Sequence, residues 1–234
     1  MDTYILHIET SGPVCSVSLA HNGSSVGCEE IREPNQHASQ LTFLIDKLLS
    51  RALPQGVLLS AVAVSQGPGS YTGLRIGVST AKGLCYAWDI PLLAIPTLDA
   101  MYEGFCESYS LDEGEPALLM PMLDARRMEV YMKGFNAKGE VVIETRAFVV
   151  EEEVLEKLAE DYEFVYLFGT GADKLTKQFT NSRKIKMIPG FVQLSPYMHA
   201  LAFERYIEEK FENTAYFEPF YLKEFVPTKA KKML

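Results

Sequence analysis

The order of predicted strands and helices repeats once along the chain, and this duplication constrains the fold more than any other feature. Residues 3–88 are predicted to form three strands, a helix, a strand and a helix, a further strand and helix are predicted over 91–105, and the same order starts again at residue 117. In each unit the first strand ends in an acid, Glu9 or Asp124, and the fourth strand runs into a glycine-bearing loop. A hairpin followed by alternating helices and strands predicts a mixed sheet covered by helices. We therefore expect an α/β chain of two βββαβα units, with a cleft that faces the strand ends.

Local patterns place the elements within this order. Asn22-Gly23 predicts a tight hairpin turn, because both positions tolerate positive φ. A helix is predicted over 37–53, and a second helix over 74–88 is apolar on most sides, which predicts burial on most sides. A last helix over 197–211 is predicted to begin at Ser195 as its N-cap residue.

The duplication also predicts the domain organisation. We expect the last helix to return to the first unit, as chains of this kind often do. The predicted domains are therefore residues 1–101 plus 190–234, and residues 102–189.

Composition narrows the classes of function. The net charge of -9 and the pI of about 5.0 argue against a chain that grips nucleic acid by itself, since phosphate binding needs clustered Lys and Arg. One basic cluster occurs near the C-terminus and is interpreted as a solvated end; it consists of Lys229, Lys231 and Lys232. The four cysteines form no CxxC pair, and no apolar run is long enough to span a bilayer. These features predict a cytoplasmic protein with reduced thiols and no membrane contact.

The sharpest local motif is "SQGPGSYTGLRIG", residues 65–77. Its glycines allow close backbone approach, its hydroxyls are potential hydrogen-bond donors, and a helix starts just after it. Such a loop suits an anion, but it lacks the Gly-Lys-Ser/Thr ending of a P-loop. A tight strand-to-helix connection that uses glycine for steric reasons explains the motif equally well.

Five stretches together resemble the TsaB (YeaZ) family, in the family's order and over nearly the whole chain. They are "ILHIETS", "GPGSYTGLRIG" with its following "KGL", "DARRMEVY", "GTG" and "EPFYL". The resemblance implies the duplicated actin-like, Hsp70-like and sugar-kinase-like fold, which is ribonuclease H-like in each unit. It also implies a non-catalytic subunit that pairs with the transferase TsaD and the ATPase TsaE to make N6-threonylcarbamoyladenosine at position 37 of tRNA.

The resemblance implies further expectations about ligands and assembly. No cofactor is expected to be required by this chain, although ATP or ADP could occupy the junction of the complex. The chain is expected to reach tRNA only through the complex, and to form a homodimer when TsaD is absent.

The residues at the family's metal-binding and phosphate-binding positions indicate whether this chain could be catalytic. TsaD-type proteins bind a metal through HxxxH on a helix, whereas here His37 is followed by Leu41. Glu9 stands where the family's motif usually has Asp, which shifts the carboxylate and favours a structural role. Asp124 is expected to form a salt bridge with Arg126 or Arg127 in the cleft wall. We therefore predict no catalytic residue and no metal site.

Two sets of candidate residues follow from these arguments. The candidate nucleotide or anion site comprises Glu9, Thr10, Ser11, Gly67, Gly69, Ser70, Thr72, Gly73 and Arg75. The candidate partner interface lies on the two helices of the first unit and comprises Leu41, Phe43, Leu44, Leu48, Leu74, Gly77, Val78, Ala81 and Leu84. A charge at Ala81 or Phe43 is expected to break partner binding without unfolding the chain.

Two other classes of function remain open at this point. One is an enzyme, either a metal-dependent, glycoprotease-like hydrolase or a nucleotide phosphotransferase that uses Glu9, Asp124 and the glycine-rich loop. The other is a small-ligand or nucleotide-binding module without chemistry. The enzyme predicts bound divalent metal or nucleotide turnover by the isolated chain, and the binding module predicts a calorimetric signal with ATP, ADP or AMP.

Overall fold

Short apolar runs separated by turn signals build two sheets of five strands each. The computed structural model describes residues 2–111, 116–179 and 182–223. The elements of the first half are β1 (Tyr4–Glu9), β2 (Cys15–His21), β3 (Ser24–Ile31), α1 (His37–Ala52), β4 (Ala61–Gly67), α2 (Tyr71–Trp88), β5 (Leu92–Pro96) and α3 (Thr97–Ser108). Those of the second half are β6 (Ala117–Asp124), β7 (Glu129–Asn136), β8 (Val141–Val149), α4 (Glu152–Leu158), β9 (Phe164–Phe168), α5 (Thr170–Asp173), α6 (Thr176–Phe179), β10 (Ile185–Ile188) and α7 (His199–Ile207).

The two sheets have the same topology. The first has the order β3-β2-β1-β4-β5, and the second has the order β8-β7-β6-β9-β10. In each sheet the first three strands are antiparallel neighbours, and the other two pairings are parallel. The predicted fold class, a duplicated α/β fold with two mixed sheets of the actin-like type, is confirmed.

Helices cover both faces of the first sheet. Side chains alternate along β1, so Leu6 and Ile8 pack under α1 and α2, whereas Ile5 packs on the opposite face with Ala100 of α3 and Ala202 of α7. The C-terminal helix therefore lies against the first sheet, far along the chain from the strands it covers.

Helix α3 contacts both sheets. Ala100 lies in the core of the first sheet, while Leu98, Met101 and Phe105 lie in a core beneath the second. The Phe105 ring stacks on Phe168 with the ring centroids 4.6 Å apart. The predicted domain boundary at 101/102 falls inside this helix, and the predicted division stays a prediction.

The start of the last helix differs from the prediction. A 3₁₀ turn, Ser195–Met198, precedes α7, and the Ser195 side chain makes no capping bond. Instead, the Ser195 amide donates to the Ser16 hydroxyl at 2.8 Å. The Ser195 N-cap prediction was wrong, because Ser195 lies in the 3₁₀ turn and its amide is bonded to Ser16 of β2. The helix ends at Ile207, and Glu209 follows with φ of 54°.

No helix in the described part of the chain has the length and apolarity that a membrane crossing requires. The basic residues Lys229, Lys231 and Lys232 lie outside the described residues.

Candidate functional site

A cleft of about 850 Å³ opens between the two sheets, at the ends of β1 and β6. This volume lies within the range of pockets that hold small molecules. The cleft is lined by residues 11–13, 68–72, 123–127, Glu129, Tyr131, Thr170, Gln193 and 220–223. The duplicated fold thus brings the first strand end of each unit to one cavity.

Glu9 at the end of β1 does not reach this cleft. Its side chain is fully buried, and one carboxyl oxygen accepts hydrogen bonds from the Ser11 amide at 2.6 Å and the Ser65 hydroxyl at 3.0 Å. Burial raises the pKa of the Glu9 carboxyl, and the hydrogen bonds from Ser11 and Ser65 offset part of that rise. Glu9 therefore fixes the turn after β1 and presents no carboxylate to the cavity.

The glycine-rich loop is packed onto the turn after β1. A Cβ on Gly73 would lie 2.0 Å from the Thr10 carbonyl oxygen, and one on Gly69 would lie 2.6 Å from Cβ of Ser11. The Thr10 hydroxyl donates to the Gly73 carbonyl at 2.8 Å, and the Ser70 amide donates to the Ser11 carbonyl at 2.7 Å. These glycines let the loop and the first turn of α2 touch the end of β1. The steric explanation of the motif is the one that these contacts favour.

Ser70 is the N-cap residue of α2, a role that the sequence analysis missed. Its hydroxyl accepts from the Gly73 amide at 3.2 Å, so the helix starts at Tyr71 rather than at Leu74. The spacing Ser70-x-x-Gly73 before an apolar helix was the available signal, because serine is a preferred N-cap residue.

The nine candidate nucleotide or anion residues divide into three groups. Glu9, Thr10, Gly67 and Gly73 are buried and do not line the cleft. Arg75 is exposed and lies outside the lining, with its guanidinium 4.3 Å from the Tyr71 ring centroid. The four that do line the cleft are Ser11, Gly69, Ser70 and Thr72.

Asp124 at the end of β6 pairs with Lys174, which follows α5 and is far from Asp124 in sequence. The Lys174 ammonium donates to the Asp124 carboxylate at 2.6 Å and also to the carbonyls of Arg127 and Glu129, at 2.9 and 2.6 Å. The same Asp124 oxygen accepts from the Arg126 amide at 2.8 Å. The predicted salt bridge to an arginine side chain was wrong, because Lys174 occupies the carboxylate and Arg126 reaches it only through its backbone.

The C-terminal segment crosses the first unit and forms one rim of the cleft. This segment, Glu212–Lys223, is called the strap below; its Glu212 amide donates to the Leu92 carbonyl at 2.9 Å, and its Phe220 amide donates to the Gln66 carbonyl at 2.7 Å. The Tyr221 ring lies 4.8 Å from that of Tyr71, and Lys223 forms an ion pair with Glu129 of the second unit. The motif "EPFYL" thus contributes to the cavity, which its position in the sequence did not indicate.

Most of the predicted partner interface lies inside this chain's own core. Phe43 is 60% exposed and Leu84 is half-buried, but the other seven residues are buried: Leu41, Leu44, Leu48, Leu74, Gly77, Val78 and Ala81. The side chains of Leu41, Leu44, Leu48, Val78 and Ala81 pack in the core against the first sheet, so they are not exposed to a partner while the domain is folded. Because Ala81 is fully buried, a charge at this position is expected to destabilise the fold itself, contrary to the expectation from the sequence.

The exposed sides of α1 and α2 carry other apolar residues. Tyr86 is 88% exposed, and Trp88 and Phe43 are exposed as well. Tyr86 and Trp88 were not among the predicted interface residues, because both belong to a helix that is apolar around most of its circumference.

The histidines lie apart from one another, except for one buried pair. The His37 ring, at the start of α1, donates to the Gly12 carbonyl at 3.0 Å, and Leu41 is buried. His7 and His199 lie with their ring centroids 4.5 Å apart beneath α7. In the described ranges, no three His, Cys, Asp or Glu residues form a group that could hold a metal ion.

The cysteines are free thiols. Burial raises the pKa of Cys15 to about 12 and that of Cys85 to about 11. Both therefore stay protonated and unreactive near neutral pH.

Comparison with known proteins identifies the family. Residues 33–229 match the family model described as TsaD, tRNA N6-adenosine threonylcarbamoyltransferase. The protein TsaB of Buchnera aphidicola (subsp. Baizongia pistaciae), a tRNA threonylcarbamoyladenosine biosynthesis protein, is 26% identical over 94% of this chain and 98% of its own length. The chain belongs to the TsaB (YeaZ) family. This confirms the resemblance found in the sequence motifs.

Two further relatives agree with this assignment. TsaB of Haemophilus influenzae is 31% identical over 127 residues, which are 54% of this chain and 51% of that protein. The chain spans about half the length of the first curated TsaB relatives that it matches. The solved structure of YeaZ from Pseudomonas aeruginosa has a TM-score of 0.71 and 26% identity, and covers 94% of this chain and 100% of its own.

Proposed function

We propose that this TsaB-family chain takes part in tRNA threonylcarbamoyladenosine biosynthesis as a non-catalytic subunit that scaffolds and activates TsaD. In this proposal TsaD transfers the threonylcarbamoyl group to adenosine 37 of tRNA, and the ATPase TsaE joins the pair. The observation that carries the proposal is the match to a curated TsaB protein over nearly the full length of both chains.

The geometry of the cleft supports a subunit without its own transfer chemistry. The Glu9 carboxyl is buried and hydrogen-bonded within its own turn, and the glycine-rich loop is packed against Thr10. His37 bonds a backbone carbonyl, and the position one turn later on its helix is a buried leucine. These residues therefore serve the fold, which leaves the reacting groups to a partner.

The proposed assembly uses the exposed side of α1 and α2. Phe43, Tyr86 and Trp88 expose apolar surface there, as protein interfaces often do. We propose that this side meets TsaD, and that it meets a second copy of this chain when TsaD is absent. With a net charge of -9, the chain would reach tRNA only as part of the complex.

Reconstitution tests the function directly. Purified TsaD, TsaE and this chain are combined with ATP, threonylcarbamoyl-adenylate and unmodified tRNA, and modified adenosine is measured. We expect modification to fall at least about 100-fold when this chain is omitted, as when an essential activator is lost. An unchanged rate without the chain would contradict the proposal. Metal analysis and ATP turnover by the chain alone test the enzyme alternative, for which we expect no activity.

Phe43→Glu is expected to weaken binding to TsaD at least about 30-fold, because it places a charge in the centre of an apolar interface. The folded chain should keep its stability to within about 0.5 kcal/mol, since Phe43 is 60% exposed. Affinity is measured by calorimetry and stability by urea unfolding. The matched control is Val141→Glu, which changes an exposed apolar residue on β8 of the other sheet and should leave binding intact. Equal binding by Phe43→Glu and the control would place the interface elsewhere.

A further inference from the structure

The strap is held against the first unit at several points along its length. Its Glu212 amide donates to the Leu92 carbonyl of β5 at 2.9 Å, and its Phe220 amide donates to the Gln66 carbonyl of β4 at 2.7 Å. Between these two points, the Phe217 side chain packs against the core of the first sheet. The strap therefore follows a defined path across the first unit.

The end of β4 leaves room for the strap backbone. Gly67 is the last residue of β4 and has φ of 113°, a conformation that favours glycine. A Cβ at this position would lie 2.6 Å from the Phe220 carbonyl oxygen, so a larger residue would displace the strap. The first glycine of the glycine-rich loop thus accommodates the strap, whereas Gly69 and Gly73 accommodate the turn after β1.

A lysine of α2 also binds the strap. The Lys82 ammonium donates to the carbonyls of Ala215 and Phe217, at 3.2 and 3.0 Å. Lys82 lies one helical turn before Tyr86, which is 88% exposed, and the two side chains line a groove between α2 and the strap. The path of the strap therefore depends on a side chain from the outer side of α2.

The C-terminal end of the strap reaches the second unit. Lys223 forms an ion pair with Glu129, the first residue of β7, and both side chains are partly buried. Partial burial matters because such a pair is screened by salt less than a fully exposed one. Two residues earlier, the Tyr221 ring packs on Tyr71, and its hydroxyl accepts from the Arg75 guanidinium at 3.3 Å. The strap thus connects α2 of the first unit to β7 of the second at the rim of the cleft.

Helix α3 is a second connection between the units, of a different kind. Its Ala100 packs in the core of the first sheet, and its Phe105 packs in the core beneath the second. Its Asp99 carboxylate accepts from the Lys133 ammonium of β7 at 2.8 Å. A packed helix permits small sliding motions between the elements that it joins. A contact at the cleft rim therefore limits rotations that α3 alone allows.

We propose that the strap is a latch that couples the outer side of α2 to the orientation of the second unit. In the latched state, the Lys223–Glu129 pair holds the rim of the cleft, and Lys82 keeps the strap in place over Gly67. Loss of either contact frees the strap and lets the second unit rotate on α3, so both contacts bias the same two-state element. A partner bound beside Tyr86 acts on this latch; that consequence rests on the proposed function, whereas the latch does not.

The distance between two spin labels on the isolated full chain tests the latch. The labels are attached to S50C on α1 and E144C on β8, two exposed positions in different units. The labelled chain also carries C28S and C106S, and its remaining cysteines are buried. Pulsed electron paramagnetic resonance measures the distribution of distances. We expect one narrow distribution when the latch is intact.

Variants of the ion pair open the latch at the second unit. E129Q and K223M are each expected to widen the distribution at least about twofold and to shift it, because the released unit samples further orientations. K223R keeps the charge and should retain the narrow distribution. K210M is the matched control, since it removes an ion pair with Glu208 within the first unit and should leave the distribution unchanged.

K82M tests the coupling to α2, because it leaves both members of the ion pair in place. It is expected to widen the distribution in the same direction as K223M. Hydrogen exchange of the Phe220 amide, which is bonded to Gln66, should become at least about tenfold faster in K82M. K47M removes a lysine of α1 that pairs with Glu29 and should change neither measurement.

Two results would overturn the latch. One is that E129Q and K223M, folded with unchanged melting temperatures, give the distribution of the unsubstituted labelled chain. The other is that K82M changes neither the distribution nor the exchange of the Phe220 amide. Neither result bears on the scaffold function, which the reconstitution of tRNA modification tests separately.

Discussion

Replacing Gly73 by alanine is expected to destabilise the protein by about 3 kcal/mol, the cost typical of forcing extra volume into a packed site. The new methyl group would lie 2.0 Å from the Thr10 carbonyl oxygen, and that oxygen belongs to backbone rather than to a flexible side chain. To make room, α2 has to move away from the end of β1, and the Thr10–Gly73 hydrogen bond lengthens. Urea unfolding followed by circular dichroism measures the change.

Gly83→Ala is the matched control on the same helix. A Cβ at Gly83 would meet no neighbouring atom within 4 Å outside its own helix backbone. The residue is exposed and lies away from both ends of α2. Alanine is the better helix former, so this variant is expected to gain about 0.5–1 kcal/mol of stability. If the two variants had the same stability, the close approach of α2 to Thr10 would not be what requires glycine at position 73.

Acidification from about pH 7.5 to pH 5 is expected to remove about 2 kcal/mol of stability through His199, and His7 adds to this loss in the same direction. Burial lowers the pKa of His199 from 6.5 to about 4, and burial together with the neighbouring His199 lowers the pKa of His7 well below 6.5. The unfolded chain therefore binds protons below pH 6.5 that the folded chain does not. The contribution of the two neutral histidines to stability is fully present above that pH, and it is lost as the pH decreases toward the folded pKa values.

His199→Gln separates this effect from other titrations. Glutamine can keep a hydrogen bond to the Ser18 hydroxyl, which lies 2.8 Å from the His199 ring. The variant should lose the part of the acid effect that His199 contributes, about 2 kcal/mol at pH 5. His21→Gln, at the surface, keeps both buried imidazoles and should lose stability as the wild type does. Urea unfolding at a series of pH values measures all three proteins, and identical curves for His199→Gln and the wild type would contradict the assignment.

The titration of Glu9 changes the stability of the protein with pH in the opposite direction. Its pKa is raised in the folded chain, so folding favours the protonated carboxyl. Its cost to stability appears as the pH rises through the folded pKa and fades in acid. The difference between the wild type and His199→Gln is therefore a cleaner measure of the histidine effect than either curve alone.

The strands and helices were predictable because their signals are local. The short apolar run of β1 and the apolar stripe of α1 define these elements within a few residues of sequence, and the repeated order implied the duplicated sheets. The same local signals could not assign the apolar helix residues to the core or to a partner. Leu41 and Phe43 are both apolar residues of α1, yet one is buried and the other is 60% exposed. Helical spacing places Leu41 on the apolar stripe of α1 and Phe43 off it, but only the position of the sheet shows which face of the helix is covered.

The candidate site shows the same division more sharply. The sequence placed Glu9, the glycine-rich loop and Asp124 at the ends of buried strands, and the fold brings Ser11, Ser70 and Asp124 to one cleft. The sequence did not reveal that the Asp124 carboxylate pairs with Lys174, which is 50 positions away. Charge partners that are distant in sequence leave no periodic signal, so adjacency suggested Arg126 and Arg127 instead.

By itself, the sequence determined the α/β duplication, the family, and the presence of a glycine-rich loop and an arginine pair at corresponding strand ends. Those features depend on short-range spacing and on motifs that are contiguous along the chain. Only the tertiary structure showed that the glycine-rich loop packs against Thr10 and that Lys174, not an arginine, pairs with Asp124. It also showed that the strap lines the cleft. Each of these depends on contacts between segments far apart in sequence, which burial and charge pairing select only after the sheets have formed.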